Sequence, residues 1–480
     1  MAVLLLGAVL LLALTTDFGV HAQLAAAGWV PADPLPAGPL VLGLCLGAVV
    51  VPHALAGTLA ARRLGTAAGA GRRWLALHER LAAAAPPLLL LGFAAGLACG
   101  WAEAVRAWIG DPWIFDDAIL LAPPLAATAL MDAAAWPLVR RFREATLLGR
   151  ADAGLPIHPV PGRWAYVGSR FRGGVGILGV PLALVLGWNQ ALEAALAAAP
   201  DGSPLPPPGS SPALLLAAAG SLLAVALCPP LLVRVVPTMP LPIGPLRDEL
   251  LAFLAAEKVR ARRLRVWLTG SAVANAALVG PLPCLRYLML SDRLLESLPR
   301  EELLGVLAHE TGHARHRHLL WLGGWAIASA VLLALTLDAA VPRLPVAAEW
   351  PLVGLAVAAW AAAFGWVSRR VEAQADAHAA AAMSDHLGPA TPDAAAFTPA
   401  GVAAIADALA RVARLAGSSQ RRRSFRHGSI ASRRAALLRL LHRPDEPAAA
   451  DRAMTVVKLG AVACVLLSIG LGLLARGPWI

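Results

Sequence analysis

Long apolar runs constrain this chain more than any other feature of its sequence. Of its 480 residues, 58% are hydrophobic and only 15% are charged. Runs of roughly 20 apolar residues recur, and a helix of that length crosses a bilayer with its backbone groups satisfied. The sequence therefore predicts a mainly α, polytopic helical membrane protein with about nine spans. The predicted spans are residues 3–14, 40–59, 81–101, 118–139, 175–196, 213–236, 319–340, 351–367 and 456–475.

The first apolar run has two interpretations. Residues 3–14 form either a span or a signal sequence, because Val20-His21-Ala22 resembles a cleavage site. A signal peptide normally begins with basic residues, which are missing here. We favour a span, with cleavage as the alternative.

The loops between the predicted spans alternate in basic content. Residues 62–73 carry four arginines and residues 140–172 carry seven. The alternate connections are poor in Lys and Arg: residues 15–39, 102–117 and 200–212. Because basic loops stay in the cytoplasm, the two polar stretches 237–317 and 368–452 are predicted to face it. The Ala-, Leu- and Arg-rich composition favours a bacterial inner membrane.

The net charge of +11 and the five cysteines exclude several kinds of site. The basic residues cluster in loops and are not interleaved with aromatic residues, so the charge indicates membrane orientation and not nucleic-acid binding. Four cysteines lie in apolar runs and none forms a Cys-x-x-Cys pair. A disulfide framework or a cysteine zinc site is not expected.

One short motif carries chemistry. Residues 309–313 read His-Glu-Thr-Gly-His, which matches the zinc-protease signature His-Glu-x-x-His. On a helix, His309 and His313 lie one turn apart on one face, so both imidazoles can reach one metal ion. Glu310 lies beside them, where a carboxylate can take a proton from water. The motif predicts a site for one Zn²⁺ ion.

A catalytic zinc site usually has three protein ligands, so a third is needed. The metzincin pattern places a histidine six residues after His313, but Leu319 occupies that position. His316 lies about 10 Å from His309 along the helix axis, too far for one helix to bring all three histidines to one ion.

Glu372 is the better candidate for the third ligand. The spans 319–340 and 351–367 form an antiparallel hairpin, which returns the chain to the membrane face from which it started. Glu372 follows this hairpin, and Asp376 lies four residues later on the same helical face. We predict that Glu372 binds the metal and that Asp376 accepts a hydrogen bond from a ligand histidine.

The first polar stretch is predicted to mix helices and strands. Residues 248–260 read as a helix, and Pro299 with Glu301 and Glu302 begins the helix that carries the motif. That helix is predicted to continue directly into the span at residue 319. The predicted short strands are residues 265–268, 275–278 and 287–290.

Four segments of the second half of the chain together form a familiar pattern: Ser291-Asp292-Arg293-Leu294-Leu295, Glu301-Glu302-Leu303, the run from Val306 to His313, and Glu372-x-x-Ala375-Asp376. They resemble membrane-embedded gluzincins, the group of CAAX prenyl proteases and the HtpX heat-shock protease. The resemblance covers about residues 248–441. It implies a zinc metalloendopeptidase whose partners are a polypeptide substrate, expected to be a membrane protein, and the lipid bilayer.

The resemblance also implies roles for residues outside the metal motif. Asn275-Ala276 resembles the strand that pairs with the substrate backbone in that family. The family's His-Pro-x-x-x-x-Arg segment reads His427 to Arg433 here, with Gly428 in place of the proline. By resemblance, His427 or Arg433 stabilises the oxyanion. A surface helix that contacts anionic lipid is the alternative interpretation of this arginine-rich segment.

The predicted organisation is a cytoplasmic α+β zinc-metallopeptidase domain split around a transmembrane hairpin. The segments are a six-span region at 1–236, the first part of the domain at 237–318, the hairpin at 319–367, the second part at 368–452, and a final span at 453–480.

These features predict an integral-membrane, zinc-dependent endopeptidase that cleaves membrane-associated or misfolded proteins at the cytoplasmic face. One alternative is a BlaR-type regulatory protease that cleaves a cytoplasmic regulator. Such receptors need an external domain, whereas the outer loops are short and only residues 476–480 follow the last predicted span. The other alternative is a non-catalytic scaffold, which would be expected to lack Glu310 or Glu372.

Overall fold

The computed structural model describes most of the chain and divides it into two compact units, Met1–Thr238 and Met239–Ile480. The described residues are 2–17, 19–64, 70–110, 114–152, 154, 156–200, 202–208, 210–340, 345–388, 396–417, 419–443 and 446–475.

The described residues of the first unit form helices joined by turns and loops as far as Val235. Its helices are α1 (Ala2–Asp17), α2 (Val20–Ala26), α3 (Pro34–Arg63), α4 (Ala70–Ala98), α5 (Trp101–Ile109), α6 (Ile114–Asp152), α7 (Arg163–Ala197), α8 (Ser211–Leu227) and α9 (Pro229–Val235). Helix α3 packs against α4 and α6, and α1 packs against α4. Leu89, Phe93 and Leu120 are fully buried between these helices.

The second unit combines helices with a small sheet. In order it contains β1 (Thr238–Pro240), α10 (Pro245–Ala256), β2 (Arg263–Trp267), β3 (Ala276–Val279), a 3₁₀ turn (Pro283–Leu285), β4 (Tyr287–Ser291), α11 (Asp292–Ser297), α12 (Arg300–Arg315), α13 (His318–Ala340), α14 (Val346–Leu387), α15 (Pro399–Leu415), α16 (Ile430–Arg439) and α17 (Glu446–Ala475).

The candidate membrane spans agree with the predicted class. Within the described residues, seven helices are long and apolar enough to cross a membrane, or eight if a bent pair counts as one span. That pair is α8 and α9, bent by 51° where Pro229 and Pro230 interrupt the helical hydrogen bonds. The first predicted span forms α1, which at 16 residues is shorter than these. The prediction of a polytopic, mainly α membrane protein is confirmed.

The sheet lies in the second unit and has the strand order β1-β2-β4-β3. Strand β2 pairs parallel with β4, and β3 pairs antiparallel with β4, with Ala277 opposite Met289. The three predicted strands therefore exist, displaced by at most two residues at either end. Since β3 is the last strand in this order, one of its edges has no strand paired with it among the described residues.

Helix α12 does not continue directly into the next span, contrary to the prediction. It ends at Arg315, and α13 begins at His318. Arg317 between them has a positive φ of 54°, a conformation that cannot continue a right-handed helix. The break turns the chain so that the ring of His318 lies back against that of His313, with their centroids 4.9 Å apart.

The core of the second unit surrounds α12. Leu303, Leu304, Leu307 and Ala308 of this helix are buried in one cluster with residues of the sheet, α14 and α15. At the start of α12, the Glu302 carboxylate accepts two hydrogen bonds from Arg411 of α15, at 2.6 and 2.7 Å. Packing and this bidentate pair hold the motif-bearing helix rigidly.

Candidate metal centre and active-site cleft

The predicted zinc ligands converge on one point. The Nε2 atoms of His309 and His313 lie 3.1 Å apart. The Glu372 carboxylate lies 3.6 Å from His309 Nε2 and 3.8 Å from His313 Nε2. Tetrahedral zinc with ligand bonds of about 2.0–2.1 Å would separate ligand atoms by about 3.3 Å. Two imidazoles and one carboxylate at these separations fit a zinc ion with an open fourth position, so the donor set suits the metal that the sequence predicted.

A close helix crossing brings these ligands together. Gly312 of α12 faces Ala375 of α14, and a Cβ atom added to Gly312 would lie 3.2 Å from both Cα and O of Ala375. It would also lie 3.1 Å from His378 Cδ2. Only a residue without a side chain allows the two backbones to approach this closely.

A Gly312→Val variant is therefore expected to separate α12 from α14. Two extra branches at this crossing should destabilise the fold by about 1–3 kcal/mol and weaken zinc binding, because the ligands sit on the separated helices. Zinc content and thermal unfolding of the purified variant measure both effects. Gly323→Val in α13 is the control, because a Cβ atom there meets open space. Unchanged zinc affinity in Gly312→Val would show that the crossing does not set the ligand geometry.

Asp376 and Arg433 form the next layer around the ligands. Asp376 Oδ1 lies 3.0 Å from His309 Nδ1, as the sequence predicted for an orienting carboxylate. Arg433 of α16 donates to both oxygens of Asp376, at 2.7 and 2.6 Å, and its Nη1 lies 3.1 Å from Glu372 Oε2. The guanidinium group thus bridges the two carboxylates of α14 and fixes their positions relative to each other.

His427 also contacts the candidate ligand. Its Nδ1 lies 2.9 Å from Glu372 Oε1, and its side chain is 47% exposed. Both oxygens of Glu372 therefore have a partner, Arg433 on one and His427 on the other. The structure therefore brings both residues of the predicted segment, His427 and Arg433, to the metal centre, where each contacts Glu372.

The electrostatics of the site favour a neutral His313 and a proton-accepting Glu310. Burial lowers the pKa of His313 to about 3, so its imidazole is neutral and has a lone pair for a metal. Burial also acts to lower the pKa of His309, but the Asp376 carboxylate outweighs it and the net shift is upward. Burial raises the pKa of Glu310 above its ordinary value despite the nearby His309. A raised carboxyl pKa strengthens a general base.

The edge strand β3 lies against Glu310. The Leu278 backbone N–H donates to Glu310 Oε2 at 3.2 Å. Asn275 uses both its backbone groups on Ser291: its N–H donates to Oγ and its C=O accepts from the N–H, each at 2.9 Å. Because alternate residues of a strand face the same side, Ala276 and Leu278 present their backbone groups to the open edge. Of the predicted pair Asn275-Ala276, only Ala276 therefore offers backbone hydrogen bonds there, while Asn275 contributes an exposed side chain.

A cavity of about 1010 Å³ contains the metal centre and this strand. Besides the metal-centre residues, Asn275, Ala276 and Ala277 line it on the side of β3. All nine predicted site residues border the same space. It is open, and its volume suits a segment of extended peptide.

The sequence reasoning missed a chain of hydrogen-bonded polar residues behind His313, in which His318 and Gln374 are buried and Asp451 is exposed. His318 Nδ1 lies 2.9 Å from His313 Nδ1, and His318 Nε2 lies 2.8 Å from Gln374 Oε1. Gln374 Nε2 in turn donates to Asp451 of α17. His318 is only 2% exposed. No sequence spacing signalled this contact, because His318 meets His313 only through the break at Arg317.

Comparison with known families agrees with this site. Residues 246–417 match the family model described as Peptidase family M48. This protein contains an M48 peptidase domain. M48 peptidases are zinc-dependent in general, which agrees with the His-His-Glu arrangement. The M48 match and the candidate spans together support an M48-type membrane metallopeptidase, and the predicted resemblance is confirmed at that level.

Two further comparisons concern the full-length chain and not the M48 domain alone. No curated protein sequence matches it. Among solved structures, the crystal structure of S. mikatae Ste24p aligns with 84% of this chain and 99% of its own, at a TM-score of 0.48 and 14% sequence identity.

Proposed function

We propose that this M48 protein is an integral-membrane, zinc-dependent endopeptidase that cleaves membrane-associated or misfolded proteins at the cytoplasmic face. The observation that carries the proposal is the convergence of His309, His313 and Glu372, with Glu310 between them and the open edge of β3. A metal donor set, a general base and a strand edge are the parts that hydrolysis of an extended peptide requires.

Glu310 is the proton carrier in the proposed mechanism. When bound by His309, His313 and Glu372, zinc supplies Lewis-acid chemistry, which polarises a carbonyl group and makes water more acidic. The Glu310 carboxylate accepts a proton from the attacking water as the water oxygen bonds to the scissile carbonyl carbon. It then donates that proton to the amine nitrogen as the carbon–nitrogen bond breaks.

Strand β3 positions the peptide. Its open edge presents the N–H and C=O of Ala276 and the C=O of Leu278, which can pair with an extended substrate as an added strand. Leu278 N–H already donates to Glu310 Oε2, so the base is held at this edge. Backbone pairing places a peptide bond beside Glu310 without requiring a particular side chain.

Arg433 and His427 have different proposed roles. Arg433 is only 12% exposed and is engaged by both Asp376 and Glu372, so we assign it to positioning those carboxylates and not to the oxyanion. His427 is about half exposed at the cleft, and its second ring nitrogen remains for a developing negative charge on the substrate.

Zinc removal tests the proposed chemistry. The full-length protein in detergent is expected to cleave an unfolded membrane protein, to stop when 1,10-phenanthroline removes the metal, and to recover when Zn²⁺ is returned. Gel analysis of the substrate and atomic-absorption measurement of bound zinc give the two readouts. Cleavage that continues after the zinc content has fallen to zero would overturn the proposal.

Cysteine labelling tests the cytoplasmic assignment. Cys284 is exposed in the M48 domain. In a protein whose other four cysteines are replaced by serine, a membrane-impermeant maleimide is expected to label Cys284 in inverted vesicles but not in intact cells. Ser203→Cys, in the basic-poor loop, is the control and should show the opposite pattern. Labelling of Cys284 from outside intact cells would reverse the orientation.

A further inference from the structure

The cleft has a cationic wall beside the metal centre. Three arginines of the segment 419–428 line the cavity: Arg422, Arg423 and Arg426. In the part of the chain that the structure describes, none of their guanidinium groups lies within the 4.0 Å of a carboxylate that defines an ion pair. Arg433, by contrast, is fully neutralised by its two carboxylates.

The segment 419–428 is fixed in place, so its arginines belong to the cleft. Arg369 Nη1 donates to Phe425 O at 2.9 Å, and Ala431 N donates to Gln420 O at 2.9 Å. Ser424 and Gly428 form an isolated antiparallel β-bridge, with backbone hydrogen bonds of 2.8 and 3.0 Å. These bonds hold the arginines along the same cavity as Glu310.

The rest of the cavity wall is largely apolar. Leu294, Val306, Ile405, Leu409 and Val412 contribute to it. The acidic residues of the cavity are Glu310, Glu372 and Asp376, and each already serves the metal centre. A substrate that fills this space therefore meets apolar surface and positive charge, and none of the described lining residues offers a free negative charge to balance the arginines.

We propose that the cleft selects polypeptide segments that carry acidic side chains beside an apolar residue at the cleavage site. This inference rests on the proposed protease function and names its substrate class. A carboxylate held by a guanidinium group forms a charge-assisted hydrogen bond, which is stronger than a neutral one. The three arginines are exposed, so water partly screens each such bond, and we expect a combined discrimination of about tenfold against the uncharged amide.

Digestion of a defined peptide pool tests this selection. The full-length protein in vesicles of zwitterionic lipid is incubated with the pool, and mass spectrometry identifies the cleaved bonds. Asp and Glu are expected to be enriched about tenfold next to the cleaved bonds, and the enrichment should decrease as salt rises. The triple variant Arg422→Gln, Arg423→Gln, Arg426→Gln should lose the enrichment. The matched control is Arg260→Gln, Arg262→Gln, Arg263→Gln, which removes three exposed arginines outside the cavity.

The possible failures are distinguishable. If the wild type cleaves no peptide, the proposed function itself fails. If it cleaves peptides without acidic enrichment, or if the triple variant keeps the enrichment, only the selectivity fails. An effect of the arginines that appears only in vesicles with anionic lipid would assign them to the membrane surface and overturn the substrate proposal.

A second, independent observation concerns the chain of hydrogen bonds behind His313. The Asp451 carboxylate only accepts, so the Gln374 amide must donate to it and turn its oxygen toward His318. A neutral His318 then donates from Nε2 to Gln374 and keeps a lone pair on Nδ1. That lone pair accepts from His313 Nδ1–H, at 2.9 Å.

The consequence lies at the other ring nitrogen of His313. With its proton fixed on Nδ1, the lone pair is on Nε2, the atom that lies 3.1 Å from His309 Nε2. Asp376 performs the corresponding task for His309, whose Nδ1 it contacts at 3.0 Å. Each ligand histidine thus has its own orienting partner, a carboxylate for one and His318 for the other.

We infer that His318 is a positioning residue that fixes the tautomer and ring orientation of His313 for zinc. Loss of such a partner typically weakens metal affinity by about 10–100-fold. His318→Phe keeps a ring of similar size but removes the acceptor, whereas His318→Asn keeps an acceptor oxygen near the position of Nδ1.

Zinc affinity and the visible spectrum of the cobalt-substituted protein test this role. His318→Phe is expected to lower zinc affinity by about 10–100-fold and to change the cobalt bands, with His318→Asn substantially restoring both. His442→Phe, an exposed histidine elsewhere, is the control. Wild-type affinity in His318→Phe, or equal losses in the Phe and Asn variants, would overturn the role. If His318→Phe does not fold, Gln374→Leu is measured instead, and unchanged affinity there has the same meaning.

Discussion

A Glu310→Gln protein is expected to fold and bind zinc normally but to lose peptide hydrolysis by about a thousandfold. Glutamine has the shape of glutamate and its side-chain oxygen can still accept from Leu278 N–H, the contact that holds this side chain at 3.2 Å. It cannot accept a proton from water at neutral pH, and general acid–base catalysis contributes about 10²–10⁴-fold to rate. The metal ligands are other residues, so the zinc content should not change.

The measurement compares zinc content and kcat/KM for the same substrate in wild type and variant. Glu301→Gln is the matched control, because Glu301 is an exposed carboxylate on the same helix, one residue beyond its start. Equal cleavage by Glu310→Gln and wild type would exclude Glu310 as the base. Loss of zinc together with activity would assign Glu310 to metal binding instead.

The convergence of the candidate metal-binding residues was predictable because helical periodicity fixes most of it. His309 and His313 are one turn apart in α12, and Glu372 and Asp376 are one turn apart in α14. The hairpin of two apolar runs explains why these turns meet at the same membrane face. The structure adds the physical reason for the approach, which is the close backbone contact at Gly312.

The contacts behind the ligands were not predictable by the same means. A separation of five residues places two side chains of a continuous helix on different faces, so His313 and His318 give no helical signal. The two rings meet only because the chain turns at Arg317, which has a positive φ. Asp451 lies 77 residues from Gln374, and no local pattern specifies a partner at that distance.

Strand β3 shows a different limit. The resemblance placed Asn275-Ala276 at the cleft, and both line it. The backbone groups of successive residues point to opposite edges of a strand, so the register between β3 and β4 decides which of the two residues offers hydrogen bonds at the open edge. A shift of one residue would exchange them. Sequence alone does not fix that register, whereas the hydrogen bonds between Asn275 and Ser291 do.

A Glu372→Gln protein is expected to bind zinc more than about a hundredfold more weakly than wild type. Replacing a residue that only orients a ligand typically lowers metal affinity by about 10–100-fold, so the loss of a ligand should be larger. The amide keeps the size of the side chain but lacks the negative charge that a carboxylate ligand supplies to zinc. Arg433 would retain Asp376 as a partner, so the fold around the site should persist. Hydrolysis is expected to fall in proportion to the bound zinc.

Competition with a chromophoric chelator measures the affinity, and Asp385→Asn, an exposed carboxylate on the same helix, is the control. His427 offers a sharper test, because its Nδ1 lies only 2.9 Å from Glu372 Oε1 and an imidazole is itself a zinc ligand. If Glu372 is the third ligand, His427→Asn keeps most of the zinc affinity while Glu372→Gln loses it. The reverse result would make His427 the ligand and Glu372 its orienting carboxylate, since the same short contact serves either arrangement.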